Sequence, residues 1–248
     1  TRETVISVDS LLYGIDQRLN KLSTNAHQEI PVEDKLLALN EGQIKLVKIK
    51  VSPNNVYKLG LDAFKKRYQD LQFLVENFED HPLDLTLGDK YMNKYIVNVG
   101  EATLKPHFMF YIDSYLLADK GSCINRVISC NPDLIKHADI QLILKNNNFK
   151  PSFEFQETIV DISSDELHVY TDGTFTPKKL YLSYIRYPKQ IDKAGYIKFD
   201  GSNSIDQDCE LEDYLKDELL DITVEKLAMY TENISAAQSA QNRIQTTE

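Results

Sequence analysis

The stretch LYLSYIRYP, Leu180 to Pro188, decides how the middle of this 248-residue chain is read. Leu180, Leu182 and Tyr184 alternate along it, and Arg186 continues their row. Tyr181, Ile185 and Tyr187 fill the other row. A period of two in aromatic and β-branched residues predicts a strand. Pro188 ends it, because proline has no N–H to give to a ladder. A strand that serves catalysis usually delivers an acid or a nucleophile at its end, and this one delivers Pro188, Lys189 and Gln190. The expectation is a closing strand that sends its leucines to a core, covers a second face with tyrosines, and returns the chain to a last helix.

Other short segments before it carry the same signature: HFMFYIDSYLLAD, CINRVISCN, IKHADIQLILKN, SFEFQETIVDIS and DELHVYTDG. Each is rich in aromatic or β-branched residues and bounded by turn formers. Asp172-Gly173 is a hairpin signal, so LHVY and LYLSYIRY are expected to pair across it. Residues 104–200 therefore read as a large antiparallel β-rich insertion.

The flanks follow a helical period. Val5, Val8, Leu11, Leu12, Ile15, Leu19 and Leu22 form one stripe, and a second helix starts near Pro31, with Glu33 and Asp34 in its first turn. LDAFKKRYQDLQFLVENF predicts a third helix, ended by His81-Pro82. CELEDYLKDELLDITVEKLAMYT predicts the last, capped by Asp206 or Asp208. The fold class expected is α+β. A helical bundle, made of an amino-terminal hairpin within 1–103 and a carboxy-terminal helix and polar tail in 201–248, carries the insertion.

Composition narrows the function classes. A net charge of -10 argues against a protein that grips nucleic acid by neutralising phosphates. It leaves room for one past which DNA slides, since an acidic wall repels phosphate. Aromatics at Phe108, Phe110 and Tyr111 suit base stacking in principle, but cross-strand packing is the simpler reading. Three cysteines, Cys123, Cys130 and Cys209, make no disulfide framework and point to free thiols in a reducing compartment. TRETVISVDSLLYG has no apolar run of membrane or signal length, so assembly in cytoplasm is expected, with no membrane partner.

Motifs for catalysis or metals are sparse. No two histidines or cysteines share zinc spacing, and DGSNSIDQDCE lacks the strict spacing of a calcium loop. No metal and no cofactor is expected. KHAD sets His137 two residues from Asp139, so on a strand the pair would share a face and could orient a general base. No nucleophile accompanies it, and an exposed polar pair is the simpler reading.

Taken in order, the parts resemble the head-to-tail connector proteins (adaptors, or neck rings) of tailed bacteriophages, in particular those of crAss-like and related short-tailed phages. The resemblance is carried by PVEDKLLALNEGQIKLVKIK as the second arm of a helical hairpin, a strand-rich insertion ending in YLSYIRYPKQID, and CELEDYLKDELLDITVEKLAMYTEN running into SAAQSAQNRIQ. It implies a non-enzymatic virion protein forming a homo-oligomeric ring, usually a dodecamer, docked on the portal and around a channel for double-stranded DNA. It further implies docking through the tail, here Gln238, Gln241, Asn242, Arg243 and Ile244. Tyr181, Tyr184 and Tyr187 are the candidates for contacts between subunits, because tyrosine offers large area at small entropy cost. The competing reading is a binding module whose insertion recognises a protein or glycan. An enzyme using His137 and Asp139 is the third.

Overall fold

The computed structural model describes residues 6–22, 30–51, 69–77, 83–90, 93–100, 106–130, 139–198 and 201–230. Its helices are α1 (Val8–Leu22), α2 (Val32–Val51), α3 (Ile140–Lys145) and α4 (Lys216–Tyr230). Its strands are β1 (Val75–Asn77), β2 (Leu83–Asp84), β3 (Thr86–Asp89), β4 (Lys94–Asn98), β5 (Phe108–Lys120), β6 (Cys123–Cys130), β7 (Glu157–Ser163), β8 (Glu166–Tyr170) and β9 (Thr176–Arg186). The fold is mixed α+β. The chain divides into two compact units, one made of 1–74 with 188–248 and the other of 75–187.

In the first unit α1 and α2 both pack on α4. Seven consecutive residues of α4, Leu219 to Glu225, are buried, so this helix is covered on every side. Small residues allow the approach: a Cβ on Gly14 would stand 2.7 Å from Leu220 Cδ1, and one on Gly42 2.9 Å from Thr223 Oγ1. Acids on α4 that fall inside are met by bases from its neighbours. Lys45 Nζ lies 2.6 Å from Glu225 Oε2, and Arg18 pairs with Asp217 and Asp221. Lys50 Nζ lies 2.6 Å from Glu218 Oε2 and 3.5 Å from the buried Asp70, which also accepts the Tyr214 hydroxyl at 2.7 Å. Asp208 caps a helix, but it is α1: its Oδ1 accepts the Val8 N–H at 2.9 Å. Asp206 Oδ1 instead accepts the N–H of Ala194. The expected cap on the last helix is therefore corrected, because the segment around Asp208 pairs back to Ile6 through the Cys209 N–H.

The second unit is built from one sheet of nine strands in the order β1-β9-β5-β6-β7-β8-β4-β3, with β2 also on β9. The two ends of this order meet. Leu83 and Asp84 pair with β9, while Thr86 to Asp89, only one residue further along, pair with β4. A single run of chain thus bridges the first and last strands, and the sheet closes into a barrel. Its interior is one apolar cluster, in which Leu83 from the closing run meets Leu180 and Leu182 of β9, Leu116 of β5, Val97 of β4 and Val160 of β7. The row read from sequence on β9 is the inward one: Leu180 and Tyr184 are 0% exposed, Leu182 1% and Arg186 8%. β9 ends at Arg186, and the boundary between the units falls just before Pro188.

Several sequence expectations change here. Strands begin at Val75 rather than near residue 104, and Val75 to Asn77, expected in a helix, pair with Ile185 to Ser183. A local helical period loses when a neighbouring strand supplies a ladder. Residues 188–200 belong with the helices and not with the strands. β8 and β9 do not pair across Asp172-Gly173: β8 joins β7 and β4, whereas β9 joins β5. Phe175, placed between them, is 3% exposed and packs 5.8 Å from Phe153 in the barrel interior. One pair in the wall is parallel, Ser129 to Glu157 and Cys130 to Thr158. Ile140 to Lys145 form a helix, because Ile140, Ile143 and Leu144 recur at helical spacing and pack on Ile159 and Tyr170.

Candidate functional site: the outer wall of the barrel

Residues that alternate with the core row line the outside of the barrel. Tyr115 on β5 faces Tyr181 on β9, and their rings stack 4.7 Å apart and 5° from parallel. Leu117, two residues along, pairs with Val127 of β6, which is 50% exposed. Lys179 closes this strip with an ion pair to Asp84 at 2.5 Å. The strip is a stacked aromatic pair continued by an aliphatic pair, with charge at its border.

Beside it β6 and β7 stay together for only two residue pairs and then part. The parting leaves a cavity of about 860 Å³ next to α3, walled by Leu142, Ile143, Phe149 and Ile159, with Lys150 and Glu157 among its polar groups. Leu142 and Phe149 are 75% and 67% exposed.

The same wall holds a buried polar tie. Asp161 on β7 faces His168 on β8 across the hairpin, and both are buried. The Asp161 Oδ2 atom lies 3.5 Å from His168 Nδ1, and Glu166 Oε2 lies 3.3 Å from Nε2. Nε2 is within hydrogen-bond distance of Glu166, whereas the buried Nδ1 makes no hydrogen bond to a described residue although Asp161 is its nearest carboxylate, and because the two nitrogens face different acids no single cation would bridge all three side chains. Nearby, the Tyr170 phenol is pushed up to about 12, first by burial and then by the Asp161 charge.

The residues singled out from sequence are scattered. Tyr181 is on the outer wall. Tyr184 is inside the barrel, where its hydroxyl donates to the Pro106 carbonyl at 2.6 Å and burial pushes its phenol up to about 12. It is withdrawn as a contact residue, since side chains on successive odd and even positions of β9 face opposite ways. Tyr187 follows β9, is exposed, and borders a small cavity of about 230 Å³ with His107 and Asp165. Asp139 immediately precedes α3 and makes no side-chain cap. His137 and the tail residues Gln238, Gln241, Asn242, Arg243 and Ile244 lie outside the described residues. Cys123, Cys130 and Cys209 are free thiols. Burial pushes Cys130 up to about 12 and Cys209 up to about 11, which keeps both protonated and unreactive at neutral pH. Among the described residues no three His, Cys, Asp or Glu side chains converge as a metal site. None of the described helices is long and apolar enough to cross a membrane.

Sequence reasoning missed the Asp161–His168 tie and the cavity. The tie was accessible through the turn at Ser164-Asp165, which sets residues 161 and 168 opposite each other once the hairpin is recognised. The cavity depends on the parting of β6 from β7, for which no local pattern speaks.

The architecture and the wall define a class: a two-unit α+β protein in which a closed barrel presents aromatic and aliphatic side chains to its surroundings. Among known proteins, no family model matches the chain and no curated protein matches it in sequence.

Proposed function

We propose that the chain is a structural protein of a bacteriophage virion neck, a ring component that joins portal and tail around the DNA channel. The observation that carries this reading is the outer wall of the barrel, which presents the Tyr115–Tyr181 stack, Leu117 and Val127 as side-chain surface through which copies would associate. The resemblance of the ordered parts supports the same reading, with helices from both flanks of the barrel sharing one unit. The net charge of -10 suits a channel through which DNA passes without being held. Partners on this reading are further copies of the chain, usually twelve in such rings, the portal protein and adjoining tail proteins. The tail from Gln238 to Ile244 is assigned to docking, and the body remains in the virion after assembly in the host cytoplasm. Electron cryomicroscopy of particles from the virus that encodes the chain tests this. Density for the barrel in a ring between portal and tail is expected, and absence of the chain from the neck overturns the proposal.

The cavity beside α3 favours a second reading, a binding module that takes an apolar side chain from a protein partner. Particles that lack the chain altogether, together with capture of such a partner in the cavity, would decide for it.

A further inference from the structure

Four polar side chains meet inside the first unit. Lys50 comes from the last turn of α2, and Asp70 lies just ahead of the turn Gln72–Leu74. Tyr214 comes from the turn Asp213–Leu215 and Glu218 from the first turn of α4. The side chains of Lys50, Asp70 and Glu218 are 6%, 1% and 16% exposed. Lys50 Nζ lies 2.6 Å from Glu218 Oε2 and 3.5 Å from Asp70 Oδ2. The Tyr214 hydroxyl donates to Asp70 Oδ1 at 2.7 Å.

A buried ion pair that serves packing alone turns donors to both carboxylate oxygens, because an unmatched oxygen has lost its water for nothing. Asp70 is not matched in this way. Its Oδ2 is buried and accepts no hydrogen bond from the described residues. The nearest ammonium is drawn to Glu218 instead. One oxygen is therefore polarised by a donor, and the other is left open beside an amine nitrogen. That is the arrangement of an acyl group facing a nucleophile. Oδ1 can carry the charge of a tetrahedral adduct, with Tyr214 as its donor, and Oδ2 can leave. Glu218, against the same nitrogen, is placed to move the protons.

We propose that Lys50 and Asp70 condense into an intramolecular isopeptide bond, with Glu218 as proton carrier and Tyr214 as donor to the oxyanion. Lys50 gives one proton to Glu218, which passes it to Asp70 Oδ2, so that a neutral amine faces a neutral acid. The Nζ lone pair attacks Cγ, forming the N–C bond and placing the carbonyl electron pair on Oδ1. Glu218 takes a second proton from the nitrogen and delivers it to Oδ2. The Cγ–Oδ2 bond breaks, the Oδ1 pair closes the carbonyl again, and one water departs with both protons. Glu218 ends as the carboxylate it began, and no oxidant or co-reactant is consumed. Burial favours the product, which removes one positive and one negative charge from the interior. Fixed geometry replaces the collision that amine and acid would need in water. The ion pair is the state before reaction. The bond ties the end of α2 to Asp70 and closes residues 51–69 into a covalent loop. The inference stands apart from the ring reading.

It is tested on the full chain by intact mass spectrometry under denaturing conditions, after prolonged incubation of the folded protein at neutral pH. A mass lower than that of the linear sequence by one water is expected. Trypsin should then fail to cut after Lys50, and a branched peptide joining Lys50 to Asp70 should appear. Lys50→Met and Asp70→Ala should stay linear. Glu218→Gln keeps the shape of the side chain but carries no proton, and should slow linking at least about hundredfold. Tyr214→Phe should slow it about hundredfold by removing the donor to Oδ1. Matching circular dichroism spectra show that the variants fold, and the wild-type digest decides the proposal even where one does not. A wild-type chain that stays linear at full mass, a water lost elsewhere, as by ring closure at Asp172-Gly173, or undiminished linking in folded Glu218→Gln overturns the proposal.

Discussion

The two units are held by different forces. Around α4 the interior of the helical unit is salted with charge: Lys50, Asp70, Asp221 and Glu225 are all buried, and each is answered by an opposite charge. The barrel interior is a single apolar cluster, and its polar groups are drawn mainly to its wall. Buried ion pairs roughly balance their own desolvation, so they do more for the register of helices than for net stability, whereas apolar burial stabilises directly. The helical unit is thus fixed in arrangement by partners that fail singly, and the barrel by contacts that degrade gradually.

Removing one member of the charged interior is expected to have the largest effect. Lys50→Met leaves Asp70 and Glu218 facing each other without their shared cation and should cost about 3–5 kcal/mol in chemical denaturation. The deficit should shrink in Lys50→Met with Asp70→Asn. A loss below about 1 kcal/mol would mean that charge does not hold this unit. In the barrel, Leu182→Ala removes a fully inward side chain and should cost about 2–5 kcal/mol. That loss should not depend on pH between 5 and 8, and a pH-dependent loss would break the contrast.

Asp192 gives a smaller and sharper test. Burial opposes its charge, but the Lys198 pair, the Tyr196 hydroxyl and the backbone donors outweigh burial and hold its carboxyl below the usual range. A depressed folded pKa contributes stability above the unfolded value, about 3.9, which is lost as pH falls below it. Protection of the Ile205 amide, one of those donors, measured against its intrinsic exchange rate at each pH, should therefore fall below about pH 4 while β5–β9 amides keep theirs. Asp192→Asn should cost about 1–3 kcal/mol at pH 7 and abolish that acid step. The smallest effect is expected at Tyr115→Leu, where the stack with Tyr181 is lost but not its area, about 0.5–1.5 kcal/mol in a thermal melt.

The legible parts of this fold are those whose partners lie within the same element. β9 displayed its inward row in alternation as far as Tyr184, α1, α2 and α4 showed their apolar positions, and α2 showed the acids of its first turn, whereas the last helix starts at Lys216, beyond the acids expected to open it. Closure of the barrel was not legible, because it depends on Leu83 and Thr86 pairing with different distant strands. The six residues of α3 fit two periods, and only contact with Tyr170 selects the helix. At the wall, Tyr181 was found by pattern, Tyr184 was misassigned because tyrosine is at home on either face, and His168 was hidden by apolar neighbours on β8.

One pairing in the barrel reaches beyond stability. Val75, the first residue of the unit, is the Cα partner of Ile185, two residues from its last. Chain entry and exit stand side by side on antiparallel strands, about 5 Å apart as such partners do. A module with adjacent ends can be spliced into a host at a single seam, and a short peptide joining Leu74 to Pro188 would span the gap left by its removal. The barrel is in that sense a cassette: its wall can diverge with whatever the protein must touch, while the helical host keeps its own charged grammar unchanged.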